Sequence, residues 1–324
     1  MRADDANPAE WPPLPLAEWS DTLETLRHWA QLVGKVALAL APPVNHWWGT
    51  TLLVTPRGLG TQVFYHGTQA VRLELDFVDH VLTIEAGASR TRLALAARSV
   101  ADFHEELLAS LTRSECPVVI GDAPTEMEAA VPFAEDDAPR RYDDRAVEAF
   151  HAALLAAHRA IEPTRASFLG KQSPVHFFWG GFDLAYTRFS GRAAPQHPGG
   201  VPNMPDWVTR EAYSHEVWSA GWWPGHGPFG RPAFYAYAYP EPAGFAEADA
   251  GTAGAFYSTE LREFLLPWDD ARSARNPDDA VRSFLRATYE AAATRGGWDR
   301  ATLERAPADL ALLERRIRKT NRPR

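Results

Sequence analysis

Residues 71–77 read Val-Arg-Leu-Glu-Leu-Asp-Phe, a strict alternation of apolar and polar side chains. Because successive side chains of a β-strand point to opposite faces, this pattern predicts a strand with one buried and one wet face. Two further candidate strands, residues 81–85 and 90–95, follow it and are joined through Gly87. Turns this short connect antiparallel neighbours, so the region predicts an antiparallel sheet.

Apolar periodicity elsewhere predicts four helices and several more strands. The first, second and fourth begin at the candidate caps Asp21, Ser99 and Asn276, the third runs from about Asp143 to Ile161, and Gly34 would end the first. The remaining strand candidates are residues 35–40, 50–55 and 61–65 in the first half and 175–178, 183–189, 233–239, 255–257 and 262–266 in the second. Helices combined with strands joined by short turns predict an α+β fold.

A short motif indicates that the chain contains two copies of one unit. Pro-Val-Asn-His-Trp-Trp-Gly at residues 43–49 is followed, 131 positions later, by Pro-Val-His-Phe-Phe-Trp-Gly at residues 174–180. In each half a predicted helix precedes the motif, and strands and another helix follow it. We therefore predict two similar α-β-sheet-α halves with antiparallel sheets flanked by helices. The identity between the copies is slight, so chance similarity is the alternative.

The predicted boundaries follow from this organisation. Residues 1–120 form the first half, residues 121–141 are a linker rich in proline and acidic residues, and residues 142–324 form the second half. The second half carries a loop-rich insertion near residues 192–232, where proline and glycine interrupt any periodicity. Irregular segments this long tend to be functional or disordered, and the tryptophan content here argues against disorder.

The composition narrows the classes of function. Hydrophobic residues make up 45% of the 324 residues, which excludes disorder of the whole chain. The net charge of −9 argues against a nucleic-acid-binding protein, because such proteins usually carry a basic surface. The single cysteine, Cys116, allows no intrachain disulfide, and no apolar run reaches membrane-spanning length. We expect a cytoplasmic protein without nucleic-acid or membrane partners, and the oligomeric state stays open.

Polar and aromatic side chains are concentrated in residues 174–242. Charges among aromatic residues are costly unless paired, so Arg188 and Arg192 either form a structural network with Asp183 or Glu216, or clamp an anion of a substrate. Aromatic side chains here either pack a core or form the wall of a small-molecule pocket. Further candidate substrate-binding residues are Trp179, Glu211, Tyr213, Trp218 and Tyr237.

Histidines in the same segment allow two kinds of chemistry. Three of them, His176, His197 and His215, are candidate ligands of a divalent metal, although no known zinc spacing is present. Alternatively, His215 is a general base whose ring is oriented by Glu216 or Asp183. A nucleophilic serine is not indicated, because no Gly-x-Ser-x-Gly elbow surrounds any serine of the segment.

Several long strings resemble one family. They are WPPLPLAEW (11–19), PPVNHWW (42–48), LALAARSVADF (93–103) and HFFWGGFDLAYTRFSGR (176–192). These strings resemble an uncharacterised bacterial family catalogued as domain of unknown function 5996. The resemblance covers almost the whole chain and implies a common fold, but it implies no activity.

The residues themselves favour an enzyme that acts on an anionic small molecule. Its pocket would lie between the strand 183–189 and the segment 211–223, and the chemistry would be His/carboxylate acid–base or metal-assisted. The alternative is a non-catalytic small-molecule binding protein with an aromatic, arginine-lined pocket.

Overall fold

The computed structural model describes residues 10–227 and 229–320 of the chain. It contains two six-stranded antiparallel sheets flanked by helices, which confirms the α+β prediction. The main buried cluster contains residues of both halves, and Phe133 of the predicted linker belongs to it. The two halves therefore share one core.

The first sheet has the strand order β1-β2-β4-β5-β6, with β3 paired to β4. Its strands are β1 (Leu53–Thr55), β2 (Gly58–Gly60), β3 (Phe64–His66), β4 (Gln69–Asp76), β5 (Val81–Ala86) and β6 (Ser89–Ala94). The alternating segment 71–77 lies in β4 up to Asp76, and there Val71, Leu73 and Leu75 are buried while Arg72 and Glu74 are only half-buried. The pattern placed this strand correctly because one of its faces meets the core and the other meets water.

The second sheet has the order β11-β12-β10-β9-β8-β7. Its strands are β7 (His176–Phe178), β8 (Asp183–Ala193), β9 (His215–Trp223), β10 (Ala233–Tyr239), β11 (Phe256–Ser258) and β12 (Glu263–Pro267). The two sheets adjoin at an isolated bridge in which Leu52 and Phe177 exchange backbone hydrogen bonds of 2.9 and 2.7 Å.

Eight α-helices flank the sheets in the described residues. They are α1 (Leu16–Leu40), α2 (Val100–Arg113), α3 (Asp144–Ile161), α4 (Asp206–Ala212), α5 (Trp268–Arg272), α6 (Pro277–Arg295), α7 (Arg300–Leu303) and α8 (Pro307–Thr320). Two of the predicted caps are confirmed, since the side chains of Ser99 and Asn276 accept hydrogen bonds from the first turns of α2 and α6. Asp143, the predicted start of the third helix, caps α3 in the same way. No helix among the described residues has the length and apolar character needed to span a membrane.

The first helix corrects the prediction at both ends. It begins at Leu16, before the expected cap Asp21, and it continues through Gly34 to Leu40, so residues 35–40 are not a strand. Position 34 is occupied by a glycine because a Cβ atom there would be 2.0 Å from the indole of Trp179. Gly34 makes room for the side chain of Trp179, and it does not mark the end of the helix.

The segment 192–232 also differs from the expected loop-rich insertion. Residues 194–205 are irregular, but α4 and β9 follow them, and β9 lies between β8 and β10 as an interior strand. Its sequence, His-Glu-Val-Trp-Ser-Ala-Gly-Trp-Trp, hides the alternation because both of its faces are largely buried.

The two copies of the repeated motif adopt different conformations. In the first copy His46 and Trp47 have φ values of 59° and 50° in a 3₁₀ segment, whereas the second copy forms strand β7. The internal duplication stays a prediction.

Candidate functional site

The strands of the second sheet divide their side chains between two faces. On one face Trp218 and Trp222 of β9 meet Tyr289 of α6 and Phe150 of α3, with ring centroids 5.6 and 6.0 Å apart. We call this the helix face. The residues that alternate with these point to the opposite face of the sheet and line a cavity. We call this second face the cavity face. The cavity-face residues that line it are Asp183, Ala185, Thr187, Val217, Ser219, Trp223, Tyr235, Tyr237 and Glu263.

The cavity has a volume of about 550 Å³, which is within the usual range for small-molecule sites. Helix α4 covers it with Val208, Thr209 and Ala212. One wall contains Trp47 and Trp179, whose rings are stacked with centroids 6.0 Å apart and planes at 14°. Among the described residues, the lining contains three carboxyl groups and no lysine or arginine.

Asp183 is held by a tyrosine that crosses a neighbouring strand. The hydroxyl of Tyr235, on β10, donates a hydrogen bond of 2.5 Å to Oδ2 of Asp183, on β8. The strand between them carries Gly221, and a Cβ atom there would be 2.6 Å from this hydroxyl and 1.8 Å from the carbonyl oxygen of Leu184. The glycine therefore permits the contact between Tyr235 and Asp183.

Glu126 reaches the cavity from the predicted linker. Its neighbour Thr125 is clamped by the buried side chain of Gln31 on α1, which bonds both the N–H and the C=O of Thr125 at 2.9 and 2.6 Å. The Glu126 carboxyl lies over the turn after β7. A Cβ atom built on Gly181 would be 3.5 Å from Oε2 of Glu126 and 2.7 Å from Oδ1 of Asp183. The two carboxyls thus converge above one glycine.

Burial raises the pKa of all three cavity carboxyls. The pKa of Asp183 rises to about 6, although the hydrogen bond from Tyr235 opposes the shift. Burial, reinforced by repulsion from Asp183, raises the pKa of Glu126 to about 7 and that of Glu263 to about 7. A neutral carboxyl is favoured because the apolar wall solvates a carboxylate poorly.

Tyrosines and histidines complete the lining. The hydroxyls of Tyr213 and Tyr237 are 2.7 Å apart, and burial raises the pKa of both. The ring of His197 is stacked on Tyr213 at 4.7 Å, and burial lowers its pKa. At the rim, burial lowers the pKa of His46 to about 4, so this imidazole is neutral at pH 7. Its positive φ, like that of Trp47, is the kind of backbone strain that concentrates at functional sites.

Five of the predicted site residues line the cavity together: Trp179, Asp183, His197, Tyr213 and Tyr237. Two others, Arg188 and Trp218, lie on the helix face and cannot contact a ligand in the cavity. Arg188 is buried and donates hydrogen bonds to the hydroxyl of Tyr186 at 2.9 Å and to the carbonyl of Thr164 at 2.7 Å. Its guanidinium also lies 4.2 Å from the ring centroid of Tyr289. These contacts indicate a structural role for Arg188, and its position does not support the anion clamp.

The remaining polar candidates lie outside the cavity. Arg192 pairs with Glu216 at 2.7 Å and also donates to the carbonyls of Gly296 and Gly297, which matches the structural alternative of the prediction. His215 is exposed, with Nδ1 3.1 Å from the hydroxyl of Ser214. Glu211 is exposed as well and does not line the cavity. The catalytic roles predicted for His215 and Glu216 are therefore not supported by their positions.

The three predicted metal ligands are separated. His176 is fully buried, with Nδ1 3.1 Å from the hydroxyl of Thr51, while His197 lines the cavity and His215 is exposed. Within residues 10–227 and 229–320, no three His, Cys, Asp or Glu side chains converge in a way that could hold a metal ion. These positions do not support the predicted His176–His197–His215 metal site.

Three important lining residues were missed: Trp47, Glu126 and Glu263. Tyr235 belongs to the aromatic residues predicted either to pack a core or to form a pocket wall, but it was not selected as a binding residue. Tyr235 had a signal, since it alternates with Tyr237 and a tyrosine on the same face contacts the same cavity. Glu126 had none, because its position depends on the contact of its loop with Gln31, 94 residues earlier in the chain.

Comparisons with known proteins show what the chain is related to. No curated protein and no solved structure gives a significant match. A family model described as "family of unknown function (DUF5996)" matches residues 11–305, which include both sheets and every cavity-lining residue named above. The chain therefore belongs to this family of unknown function.

Proposed function

We propose that the cavity is the active site of an enzyme that uses Asp183 and Glu126 for acid–base chemistry on a small molecule. The observation that carries the proposal is the convergence of both carboxyls above Gly181 inside an aromatic cavity. General acids and bases work best when their pKa lies near the operating pH. The raised pKa values, about 6 for Asp183 and about 7 for Glu126, meet this condition.

The two carboxyls differ in the roles that their surroundings favour. Asp183 has the lower pKa and a hydrogen bond from Tyr235, so at neutral pH it is mainly ionised and can accept a proton. Glu126 has the higher pKa and is substantially protonated at the same pH, so it can donate one. Paired carboxyls whose surroundings separate their pKa values are a common basis of acid–base assignment.

The substrate that this cavity favours differs from the sequence expectation. An anionic substrate was predicted because Arg188 and Arg192 would bind it, but neither arginine lines the cavity. The aromatic wall formed by Trp47 and Trp179 supports contact with an apolar or planar part of a substrate.

A non-catalytic binding protein is the second candidate. It is favoured by the rigid part of the lining, in which Tyr213, Tyr237 and His197 hold one another by stacking and a hydroxyl pair. Rigid aromatic side chains give affinity at low entropic cost without any chemical step.

Incubation of the purified protein with the small-molecule extract of its source cells, followed by untargeted mass spectrometry, separates these candidates. We expect the wild type to deplete at least one compound and form another, and Asp183→Asn to slow this by about a hundredfold or more. Glu128→Gln is the matched control, since Glu128 is exposed on the same loop as Glu126. Compounds that co-purify with the protein but stay unchanged would replace the enzyme with the binding protein.

A further inference from the structure

The cavity has an imbalance of charge. Asp183, Glu126 and Glu263 contribute carboxyls, and among the described residues no lysine or arginine lines the cavity; the two histidines of the lining, His46 and His197, have pKa values lowered by burial. Two basic residues approach from outside the wall, but both have partners there. Lys35 donates to the hydroxyl of Thr125 at 2.8 Å, and Arg27 pairs with Glu24 at 2.8 Å.

The hydrogen-bond inventory is unbalanced in the same direction. Among the described residues, the side-chain oxygens of Glu126 and Glu263 accept no hydrogen bond, and Asp183 accepts one, from Tyr235. The hydroxyls of Tyr213 and Tyr237 share one hydrogen bond, which uses one of their two protons. The cavity therefore offers unfilled acceptors and few free donors, so a ligand that donates hydrogen bonds is complementary to it.

Aromatic faces add a second preference. Trp47 and Trp179 form a stacked wall, and Tyr235 and Tyr237 lie parallel at 6.3 Å between the carboxyls of Asp183 on β8 and Glu263 on β12. The face of an aromatic ring is electron-rich and attracts a cation, and this attraction grows when water is excluded. A cationic group would thus be favoured by the carboxyls and by the rings.

We propose that the ligand of this cavity carries a protonated nitrogen with N–H donors, an amine or a guanidinium, on an apolar body that lies against the tryptophans. This inference rests on the proposed function only in taking the cavity as the ligand site. A neutral polyol would fill the acceptors but leave the carboxyl charges uncompensated. An anion would be repelled by them.

The proposal predicts that ligand binding releases protons. The unoccupied carboxyls have pKa values raised to about 6 and about 7, and a cation beside them favours their ionised form. Affinity for an amine should therefore rise as the pH increases from 5.5 to 8. The other titratable groups that face these carboxyls are His46, His197, Tyr213, Tyr235 and Tyr237 in the lining and Arg27 and His226 behind it. Burial lowers the pKa of these histidines and raises that of these tyrosines, so we expect the carboxyls to dominate the titration.

Matched probes test the charge preference directly. Phenethylamine, 2-phenylethanol and 3-phenylpropionate share one aromatic body and differ in charge, and the corresponding indolyl and cyclohexyl sets vary the body. Ligand-observed NMR and calorimetry should show that the amine binds about tenfold or more tightly than the alcohol, with the acid weakest. Calorimetry in two buffers of different ionisation enthalpy should detect proton release with the amine alone.

Variants locate the effect. Glu126→Gln should reduce amine affinity by about tenfold and flatten its rise with pH, while Glu128→Gln should leave both unchanged. Equal or better binding of the alcohols, or of the acids, would overturn the cationic ligand while keeping the cavity as a binding site. If no member of the three sets binds, or if binding persists in a Trp179→Ala and Glu126→Gln double variant, the cavity is not this ligand site and both proposals fail.

Discussion

The two faces of the second sheet are made by alternate residues of the same strands, yet their charged groups have opposite surroundings. On the helix face the buried guanidinium of Arg188 has hydrogen-bond acceptors and four aromatic rings around it. At the cavity, Glu126 of the loop held by Gln31 and Glu263 of β12 have raised pKa values and no neutralising partner in the lining. Natural sequences pair charges that are removed from water except where function requires otherwise. The contrast is limited to charges because the indole N–H groups of Trp218 and Trp222 on the helix face also lack partners among the described residues. The contrast assigns stability to one face and binding to the other.

Two adjacent tryptophans give the strongest test of this contrast. Trp222 is fully buried on the helix face, and Trp223 is half-buried on the cavity face. Trp222→Ala should lower the free energy of unfolding by about 3–5 kcal/mol, because it leaves a large cavity in the core. Urea denaturation followed by circular dichroism measures this loss.

Trp223→Ala is the matched control on the same strand. It should cost less than about half as much, because this side chain already borders open space, and it should weaken ligand binding instead. Similar losses of stability from both substitutions would show that the two faces do not differ in the way proposed.

The substitution with the next largest expected effect is at Gly221. Gly221→Ala should destabilise the protein by about 1–3 kcal/mol, since the added Cβ would meet the carbonyl of Leu184 and the hydroxyl of Tyr235. It should also separate Tyr235 from Asp183 and so raise the pKa of Asp183 further, because the hydrogen bond from Tyr235 lowers it. Carboxyl ¹³C chemical shifts followed over pH report that value. Ala220→Gly, on the helix face, is a control that should leave the pKa of Asp183 unchanged.

The cavity carboxyls make stability depend on pH. The folded-state pKa of Glu126, about 7, is above its ordinary value of 4.5, so folding favours the protonated form. Its contribution to stability is present below pH 4.5 and is lost as the pH rises through 7. Relative to wild type, Glu126→Gln should therefore be more stable at pH 8 than at pH 4.5, by on the order of 2 kcal/mol. Denaturation curves at the two pH values, with Glu128→Gln alongside, measure the difference, and equal shifts in both variants would contradict it.

Local signals predicted much of the fold, and long-range contacts decided the rest. Ser99, Asp143 and Asn276 marked helix starts because capping involves residues two or three positions away. Gly34 misled because its reason is Trp179, which contacts it from 145 positions along the chain. Strand β9 was missed because a strand buried on both faces has no polar alternation to detect.

The candidate site shows the same division. The sequence located the segment that contains Asp183 and Tyr237, and the alternation along β8 would also have placed Arg188 on the face opposite Asp183. It could not place Glu126, whose position depends on the pairing of Thr125 with Gln31. The sequence indicates that Arg192 pairs with a carboxylate, as it does with Glu216 in the structure. Which carboxylate it pairs with depends on the strand register.

The smallest expected effect concerns a residue that the sequence favoured and the structure does not. His215 is exposed at the start of β9 and has Ser214 as its hydrogen-bond neighbour, outside the cavity. His215→Ala should change the free energy of unfolding by less than about 0.5 kcal/mol, as is usual for exposed side chains. It should also leave amine binding and turnover unchanged, whereas His197→Ala should weaken binding because it removes a ring stacked on Tyr213. Calorimetric titration of both variants with one amine probe compares them directly. If only His215→Ala lost binding, the ligand site would lie near the start of β9, and its assignment to the cavity face would be wrong.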